Sequence, residues 1–235
     1  MKREKGLNVE QDPDAMAHPG YVSNILHDQK KVGDIVQLSH PAGDFSFDVR
    51  TDDDDHSPTV LLSVGVGLTP LTSILNTSIA KPGRRQISWV HVSRNHKTHA
   101  FNDHVNTMAE LHPWINKRVF HSNPVHGEEQ GVHYDHRGRL DLSELDAEKD
   151  LKLSDKNATY YICGPEQFMV ELEQALREKG VDANHINMEL FGTGGVPQQS
   201  RDEGIETALT RLESIDYGIW NVRCVWVSND ESNYQ

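Results

Sequence analysis

The sequence has little cysteine and no long apolar run, and each of these absences excludes a class of protein. Its two cysteines, Cys163 and Cys224, are too few for the disulfide framework of a small secreted domain. No apolar run approaches the roughly 20 residues that a membrane-spanning helix needs. The first residues are charged and lack the apolar stretch of a secretory signal. The sequence therefore predicts a soluble cytoplasmic protein without a membrane partner.

Basic residues are also in short supply. The 235 residues include 23 lysines and arginines against 36 aspartates and glutamates, which gives a formal net charge of −13. Such a balance argues against nucleic acid or an anionic membrane surface as the main partner. An anionic ligand would have to be held by local backbone amides and a few well-placed cations.

Several catalytic and metal-binding signatures are absent as well. The sequence contains no His-Glu-x-x-His helix motif and no Cys-x-x-Cys pair, so its fourteen histidines do not predict a metal site. No Gly-x-Ser-x-Gly elbow is present, which argues against serine-hydrolase chemistry. Four consecutive aspartates at positions 52–55 cannot be buried together, and residues 51–58 are predicted to be a solvated linker.

After this linker the pattern alternates between strand and helix. Such alternation predicts a doubly wound α/β domain with a parallel sheet covered on both faces. Apolar residues recur at helical spacing near residues 101–111, and a second helix is predicted from Pro165 to just before Gly180. The predicted strands cover residues 59–64, 87–92, 117–121, 159–163 and 186–190.

A glycine-rich turn follows the first of these strands. Gly65, Val66 and Gly67 lead into Leu68, Thr69 and Pro70, where we expect Thr69 to cap a helix and Pro70 to open it. Glycines allow a tight turn and a close ligand, while a helix N-terminus presents free amides and a positive dipole end. The segment predicts a cradle for the pyrophosphate of a dinucleotide; the alternative is an ordinary turn.

A second turn of the same kind follows the strand at 159–163. Cys163, Gly164 and Pro165 end this strand, and ligands in open α/β sheets bind beyond the carboxyl ends of the strands. Cys163 is predicted to lie beside a nicotinamide ring, unless it is only a small buried core residue.

Two further segments are candidates for cofactor contacts. Ser93 and Arg94 follow the second strand of the α/β region, where an arginine favours the 2′-phosphate of NADPH over NADH. Arg94 could equally be a solvated surface residue. Near the N-terminus, Gly20, Ser23 and their neighbours read as the start of a short helix that suits a phosphate group or is an ordinary cap.

Taken together, these motifs resemble the reductase region of the flavohaemoglobins, which are nitric oxide dioxygenases of the ferredoxin–NADP reductase-like superfamily. The resemblance covers residues 1–192 and rests on five segments in order: GYVSN, VGDIV, VLLSVGVGLTP, YYICGPEQFM and MELFG. It implies part of an antiparallel FAD-binding β-barrel at residues 1–50, the linker at 51–58, an NAD(P)-binding α/β domain at 59–193 and an atypical tail at 194–235.

The resemblance also implies roles for individual residues. Those expected to contact flavin near the N-terminus are Gly20, Val22, Ser23 and Asn24, and those expected to hold NAD(P)H are Gly65 to Pro70, Ser93, Arg94 and Cys163 to Pro165. In the terminal segment, Glu189, Leu190, Phe191 and Gly192 would lie against the flavin, with Cys163, Glu189 and Phe191 at the reacting centre. NAD(P)H would then reduce FAD, and the electrons would pass to the haem of a globin partner.

This sequence departs from that family in two ways. The globin domain and the Arg-x-Tyr-Ser flavin segment are absent, so no haem ligand can be assigned and about half of the barrel is missing. The tail after Gly192 is also unlike the family's short end. A reductase fragment is therefore predicted, with a non-catalytic NAD(P)-binding module or a truncated pseudo-reductase that no longer holds FAD as the alternatives.

Overall fold

The computed structural model describes residues 21–39, 45–47, 56–81, 85–189 and 219–223, and for residues 21–23, 38–39 and 219–223 it describes the backbone only. The chain divides into two compact units, residues 1–43 with 201–235, and residues 44–200. The helices and strands, in chain order, are α1 (Tyr21–Asp28), β1 (Ile35–Ser39), β2 (Thr59–Val64), α2 (Leu68–Ala80), β3 (Ile87–Ser93), α3 (Asn102–Leu111), β4 (Ile115–His121), β5 (His136–Arg137), β6 (Thr159–Cys163), α4 (Glu166–Glu178), β7 (Ile186–Glu189) and β8 (Ile219–Arg223).

The larger unit contains a six-stranded sheet in the order β5-β4-β3-β2-β6-β7, in which every pair is parallel. This topology confirms the predicted α/β class. The strand order reverses at β2, because β3 and β4 extend the sheet to one side and β6 and β7 to the other. Ligands of open α/β sheets bind at such a switch point, beyond the carboxyl ends of the strands.

The predicted strands agree closely with the observed ones. Those at 59–64 and 159–163 have the predicted bounds, while β3 extends to residue 93 and β4 begins at residue 115. The last residue of the strand predicted at 186–190 lies outside the described residues. Strands β2 and β3 are buried along almost their whole length; β2 is largely apolar, whereas β3 also buries Ser88, His91 and Ser93.

Two apolar clusters form the core, one on each face of the sheet. Because successive side chains of a strand point to opposite faces, Val60 and Leu62 enter one cluster and Leu61 enters the other. The first cluster packs against α4 through Met169 and Leu172, with further neighbours elsewhere in the unit. The second includes residues of α2 and α3. The predicted stripe of α4 is therefore core, whereas in the stripe predicted at residues 101–111 Val105 is buried but Phe101 and Leu111 are exposed.

The smaller unit has its own strand pair. β1 pairs antiparallel with β8, with Ile35 opposite Arg223 and Ser39 opposite Ile219. Of the tail at residues 194–235, only residues 219–223 of β8 are described. Within the described part of the chain, no helix has the length and apolar character to cross a membrane.

Candidate dinucleotide-binding site

The two predicted glycine turns lie side by side. β2 and β6 are neighbouring parallel strands, and Ser63 pairs in register with Cys163 at their carboxyl ends. The turn after β2 and the turn after β6 therefore leave the same edge of the sheet at adjacent positions. Both lie at the point where the strand order reverses.

The contact between the turns requires glycine at position 67. A Cβ atom on Gly67 would lie 2.1 Å from the carbonyl oxygen of Cys163 and 2.9 Å from the amide nitrogen of Gly164. Both are backbone atoms, which can move aside only if the turn after β6 shifts as a whole. Gly65, by contrast, has open space around it but a φ of +57°, a conformation that side chains rarely adopt. The two glycines are thus required for different reasons.

The helix after this turn begins earlier than predicted. Residues Gly65–Gly67 form a 3₁₀ turn that continues directly into α2 at Leu68, so Gly67 occupies the N-cap position. The prediction that Thr69 caps the helix and Pro70 opens it is wrong. Instead the Thr69 hydroxyl donates to the carbonyl oxygen of Val66 at 2.7 Å, which fixes the turn. Pro70 is the third helical residue, where its missing amide still leaves no hydrogen bond unmade.

This geometry suits an anionic ligand. Gly65 and Val66 are exposed at the carboxyl end of β2, just before the N-terminus of α2. Within α2 the Leu68 amide already donates to the carbonyl of Val66 and Pro70 has no amide, so Gly65 and Val66 are the residues that can approach a ligand. The positive end of the helix dipole adds to their attraction for negative charge. No acidic residue lies in the first turn of α2 to oppose it. The residues present therefore fit the pyrophosphate of a dinucleotide.

The second turn leads into α4. Pro165 occupies its N-cap position, and the helix runs from Glu166 to Glu178, close to the predicted bounds. The sulfur of Cys163 is enclosed, since the residue is fully buried and packs in the cluster that includes Leu61 and Tyr161. In this structure the carbonyl of Cys163, rather than its thiol, contacts the first glycine turn.

Burial also controls the chemistry of Cys163. Desolvation, with the nearby charge of Glu189, raises the pKa of the thiol to about 12. Glu189 lies on β7 directly opposite Cys163 in the register. The thiol is therefore neutral at physiological pH, and these two predicted site residues are neighbours.

Ser93 and Arg94 lie at the carboxyl end of β3, on the same side of the sheet as the two glycine turns. Ser93 is buried and Arg94 is exposed. The backbone there is joined to the loop after β4, since the amide of Asn123 donates to the carbonyl of Arg94 at 2.8 Å and the amide of Ser122 donates to the carbonyl of Ser93 at 3.0 Å. The position of Arg94 thus depends on two loops rather than one.

The predicted flavin contacts lie only partly within the described residues. Gly20, Leu190, Phe191 and Gly192 lie outside the described residues. Val22 and Ser23 are described by backbone only, in the first turn of α1, and Asn24 is half-buried in that helix. The assignment of these residues to flavin stays a prediction.

A cluster of buried histidines that no sequence motif indicated lies beside the site. His91, His99 and His121 are separated in sequence, yet the rings of His91 and His99 are 4.5 Å apart and those of His99 and His121 are 6.1 Å apart. Burial and mutual repulsion lower the pKa of His91 well below its usual range and that of His99 to about 4. Glu128, in a polar loop without a motif, binds His121 and was also missed. Among the described residues, no group of three or more candidate ligands could hold a metal ion.

Comparison with known proteins agrees with this geometry. Residues 61–174 match the oxidoreductase NAD-binding domain family. The chain is 40% identical to a flavohaemoprotein of Bordetella pertussis over 190 residues, which is 81% of this chain and 45% of the relative. It is 35% identical to a flavohaemoprotein of Rhizobium meliloti over the same shares. This chain therefore spans less than half of either relative.

A solved structure is also similar to this chain. The flavohaem-like FAD/NAD-binding domain of nitric oxide dioxygenase from Vibrio cholerae is 32% identical, with a TM-score of 0.59 over 74% of this chain and 65% of that one. Residues 61–174 of the chain thus match the oxidoreductase NAD-binding domain family, and the chain is similar to part of the flavohaemoproteins and to this FAD/NAD-binding domain.

Proposed function

We propose that the chain is an FAD-dependent NAD(P)H oxidoreductase domain of the flavohaemoglobin type. The close packing of Gly67 against the Cys163 carbonyl supports this most directly, because it brings both glycine turns to the switch point of the sheet. The match of residues 61–174 to the oxidoreductase NAD-binding family supports the same ligand class.

The proposed binding mode follows from the positions of the turns at the carboxyl ends of β2, β6 and β3. The pyrophosphate would lie over Gly65–Gly67 and the first turn of α2, with the nicotinamide towards Gly164 and Pro165. The adenosine would lie towards β3, where Arg94 is exposed. The turns would bind and orient the dinucleotide, and the buried Cys163 thiol, with its raised pKa, would stay protonated throughout.

The proposal that the chain binds FAD is supported by its similarity to a known flavin-binding domain. The relative from Vibrio cholerae is named as an FAD/NAD-binding domain. FAD, when bound, would accept the hydride of NAD(P)H as an electron pair and release the electrons singly to a haem protein. Residues 20–24 and 189–192 are the proposed flavin contacts, Phe191 among them. A cytoplasmic globin is the proposed acceptor, and detoxification of nitric oxide by such a pair is the proposed role.

Cofactor choice can be tested at Arg94. If its guanidinium binds a 2′-phosphate, Arg94→Ala should weaken NADPH binding about tenfold, or about 1.4 kcal/mol, and leave NADH binding within about twofold. Lys97→Ala, which removes an exposed cation from the neighbouring turn, is the matched control. Titration calorimetry with both dinucleotides gives the values. Equal weakening of NADPH and NADH would remove Arg94 from the 2′-phosphate site.

A non-catalytic NAD(P)-binding module is the second candidate. One observation favours it: both glycine turns belong to the unit of residues 44–200, whereas residues 20–24 belong to the other unit. The larger unit could therefore bind dinucleotide whether or not flavin binds. Calorimetric titration separates the candidates, because dinucleotide binding without FAD binding is expected only for the module.

A further inference from the structure

Glu128 is a buried carboxylate near the carboxyl ends of β3 and β4, on the side of the sheet where Arg94 lies. It lies in the loop between β4 and β5, and only 1% of its side chain is exposed. A buried carboxylate is costly unless its oxygens accept hydrogen bonds or it pairs with cations. The hydrogen-bond partners of Glu128 therefore indicate which parts of the structure the buried carboxylate stabilises.

Those partners come from two loops, the one after β3 and the one after β4. One carboxylate oxygen accepts the backbone N–H of His96 at 2.6 Å and also contacts Nδ1 of the His96 ring. The other accepts the backbone N–H of Val125 at 3.1 Å and contacts Nδ1 of His121 at 3.2 Å. Glu128 thus joins the loop after β3 to the loop after β4.

The charge on Glu128 is held firmly. Burial alone would raise the pKa of the carboxyl, but the hydrogen bonds from His96 and Val125 and the nearby His121 lower it to about 2. An ionised carboxylate accepts at both oxygens, so the ring nitrogens of His96 and His121 that face it are donors. Glutamine at this position could accept at one oxygen only.

The two loops fix the backbone of Arg94 from both sides. The carbonyl of Arg94 accepts the amide of Asn123, and His96 follows Arg94 by two residues. Asn123 lies two residues before Val125, which Glu128 also holds. We infer that Glu128 is a positioning residue that fixes the loops around Arg94 and so selects dinucleotides that carry a 2′-phosphate. This inference rests on the proposed function, because it presumes that the dinucleotide binds at this edge.

The test uses Glu128→Gln, with Glu129→Gln as the matched control. Glu129 is the next residue, is exposed and loses the same charge. In the full-length protein, Glu128→Gln should weaken NADPH binding about five- to tenfold and leave NADH binding within about twofold. Glu129→Gln should change neither. No selective loss in Glu128→Gln would overturn the inference.

A double variant separates positioning from general stability. If Glu128 acts through Arg94, the protein with both Arg94→Ala and Glu128→Gln should bind NADPH no more weakly than Arg94→Ala alone. An additional loss of the same size as in the single variant would show that Glu128 acts elsewhere. Thermal denaturation of each variant identifies any effect of misfolding.

A milder variant covers the case in which Glu128→Gln does not fold. His96→Ala removes one ring contact to the carboxylate but keeps the backbone amide, and the His96 side chain is about half exposed. It should show the same selective loss, reduced to about threefold, and unchanged NADPH binding would overturn the inference. Wild-type protein that binds neither dinucleotide would instead refute the proposed function.

Discussion

Gly67 and Cys163 show how single atoms define the candidate site. The hydrogen of Gly67 occupies space that a Cβ could fill only by approaching the Cys163 carbonyl to 2.1 Å. The sequence indicated a glycine turn here and a second turn after Cys163. It did not indicate that the turns touch, because that contact depends on β2 and β6 being neighbours although about a hundred residues separate them.

Substitution at the two glycines should separate packing from backbone strain. Gly67→Ala should reduce the free energy of unfolding by about 1–3 kcal/mol, because the two turns must shift to admit the methyl group. Gly65→Ala should cost about 1 kcal/mol, since its φ of +57° is the only obstacle. Urea denaturation gives both values. A smaller loss for Gly67→Ala than for Gly65→Ala would contradict the packing of the two turns.

The burial of Cys163 predicts slow alkylation. With its pKa raised to about 12 and no exposed surface, the thiol should react with iodoacetamide at pH 8 at least about a hundredfold more slowly in native than in urea-unfolded protein. The measurement uses a Cys224→Ser background, so that one cysteine is followed. Equal rates in native and unfolded protein would place the thiol at the surface.

Among the elements, β3 and β4 place histidines in contact that the sequence keeps apart. His91 lies on β3 and His121 at the end of β4, and the loop after β3 returns His99 between them. Ser63 of β2 completes the group, with its hydroxyl 2.8 Å from Nδ1 of His91. Sequence spacing alone could not show this, because it depends on strand register and on the path of a loop.

The histidine cluster predicts acid sensitivity with a defined sign. Burial lowers the pKa values of His91, His99 and His121 in the folded protein, so the unfolded chain binds protons first as pH falls below about 6.5. Stability should therefore be constant above about pH 7.5 and fall between pH 6.5 and 4, by about 1.4 kcal/mol per pH unit for each proton. Glu128, with a pKa of about 2, stays ionised throughout this range.

One variant tests this assignment. His99→Gln should reduce the pH dependence of the unfolding free energy between pH 6.5 and 5 by up to about 1.4 kcal/mol per pH unit. His126→Gln, at an exposed position, should leave the slope unchanged. Urea denaturation at several pH values gives both slopes. The same slope in His99→Gln as in wild type would show that His99 is not a source of the acid sensitivity.

Prediction of the elements succeeded where the local pattern was strong. The continuous apolar runs of β2 and β6 predicted their bounds, and a proline and a glycine predicted the ends of α4. The start of α2 was misplaced because Thr69 and Pro70 imitate a cap, whereas the 3₁₀ turn at Gly65–Gly67 runs directly into the helix. β5 was not predicted, since two residues carry no periodicity.

For the whole molecule, the most unexpected pairing joins distant parts of the chain. β8, in the segment unlike the related family, pairs with β1 near the N-terminus. Their pairing could not be predicted from the sequence, because a short strand contains no information about its partner. In antiparallel order they form the two-stranded sheet of the smaller unit.

Removal of residues 201–235 tests this pairing. Without β8, those backbone amides of β1 that donate to it should exchange with solvent at least about tenfold faster. Amides of β2 and β6 should keep their protection, because their partners lie in the other unit. Hydrogen–deuterium exchange reports both strand pairs in one experiment. Unchanged protection in β1 would contradict its pairing with β8.

The central claim is that the chain binds NAD(P)H at the paired glycine turns and uses it to reduce flavin. The most direct test is the visible spectrum of the purified full-length chain with added FAD, recorded without oxygen before and after NADPH or NADH. We expect a protein-bound flavin band that bleaches when reduced dinucleotide is added. A protein that takes up no FAD, or a bound flavin band that neither dinucleotide bleaches, would contradict it.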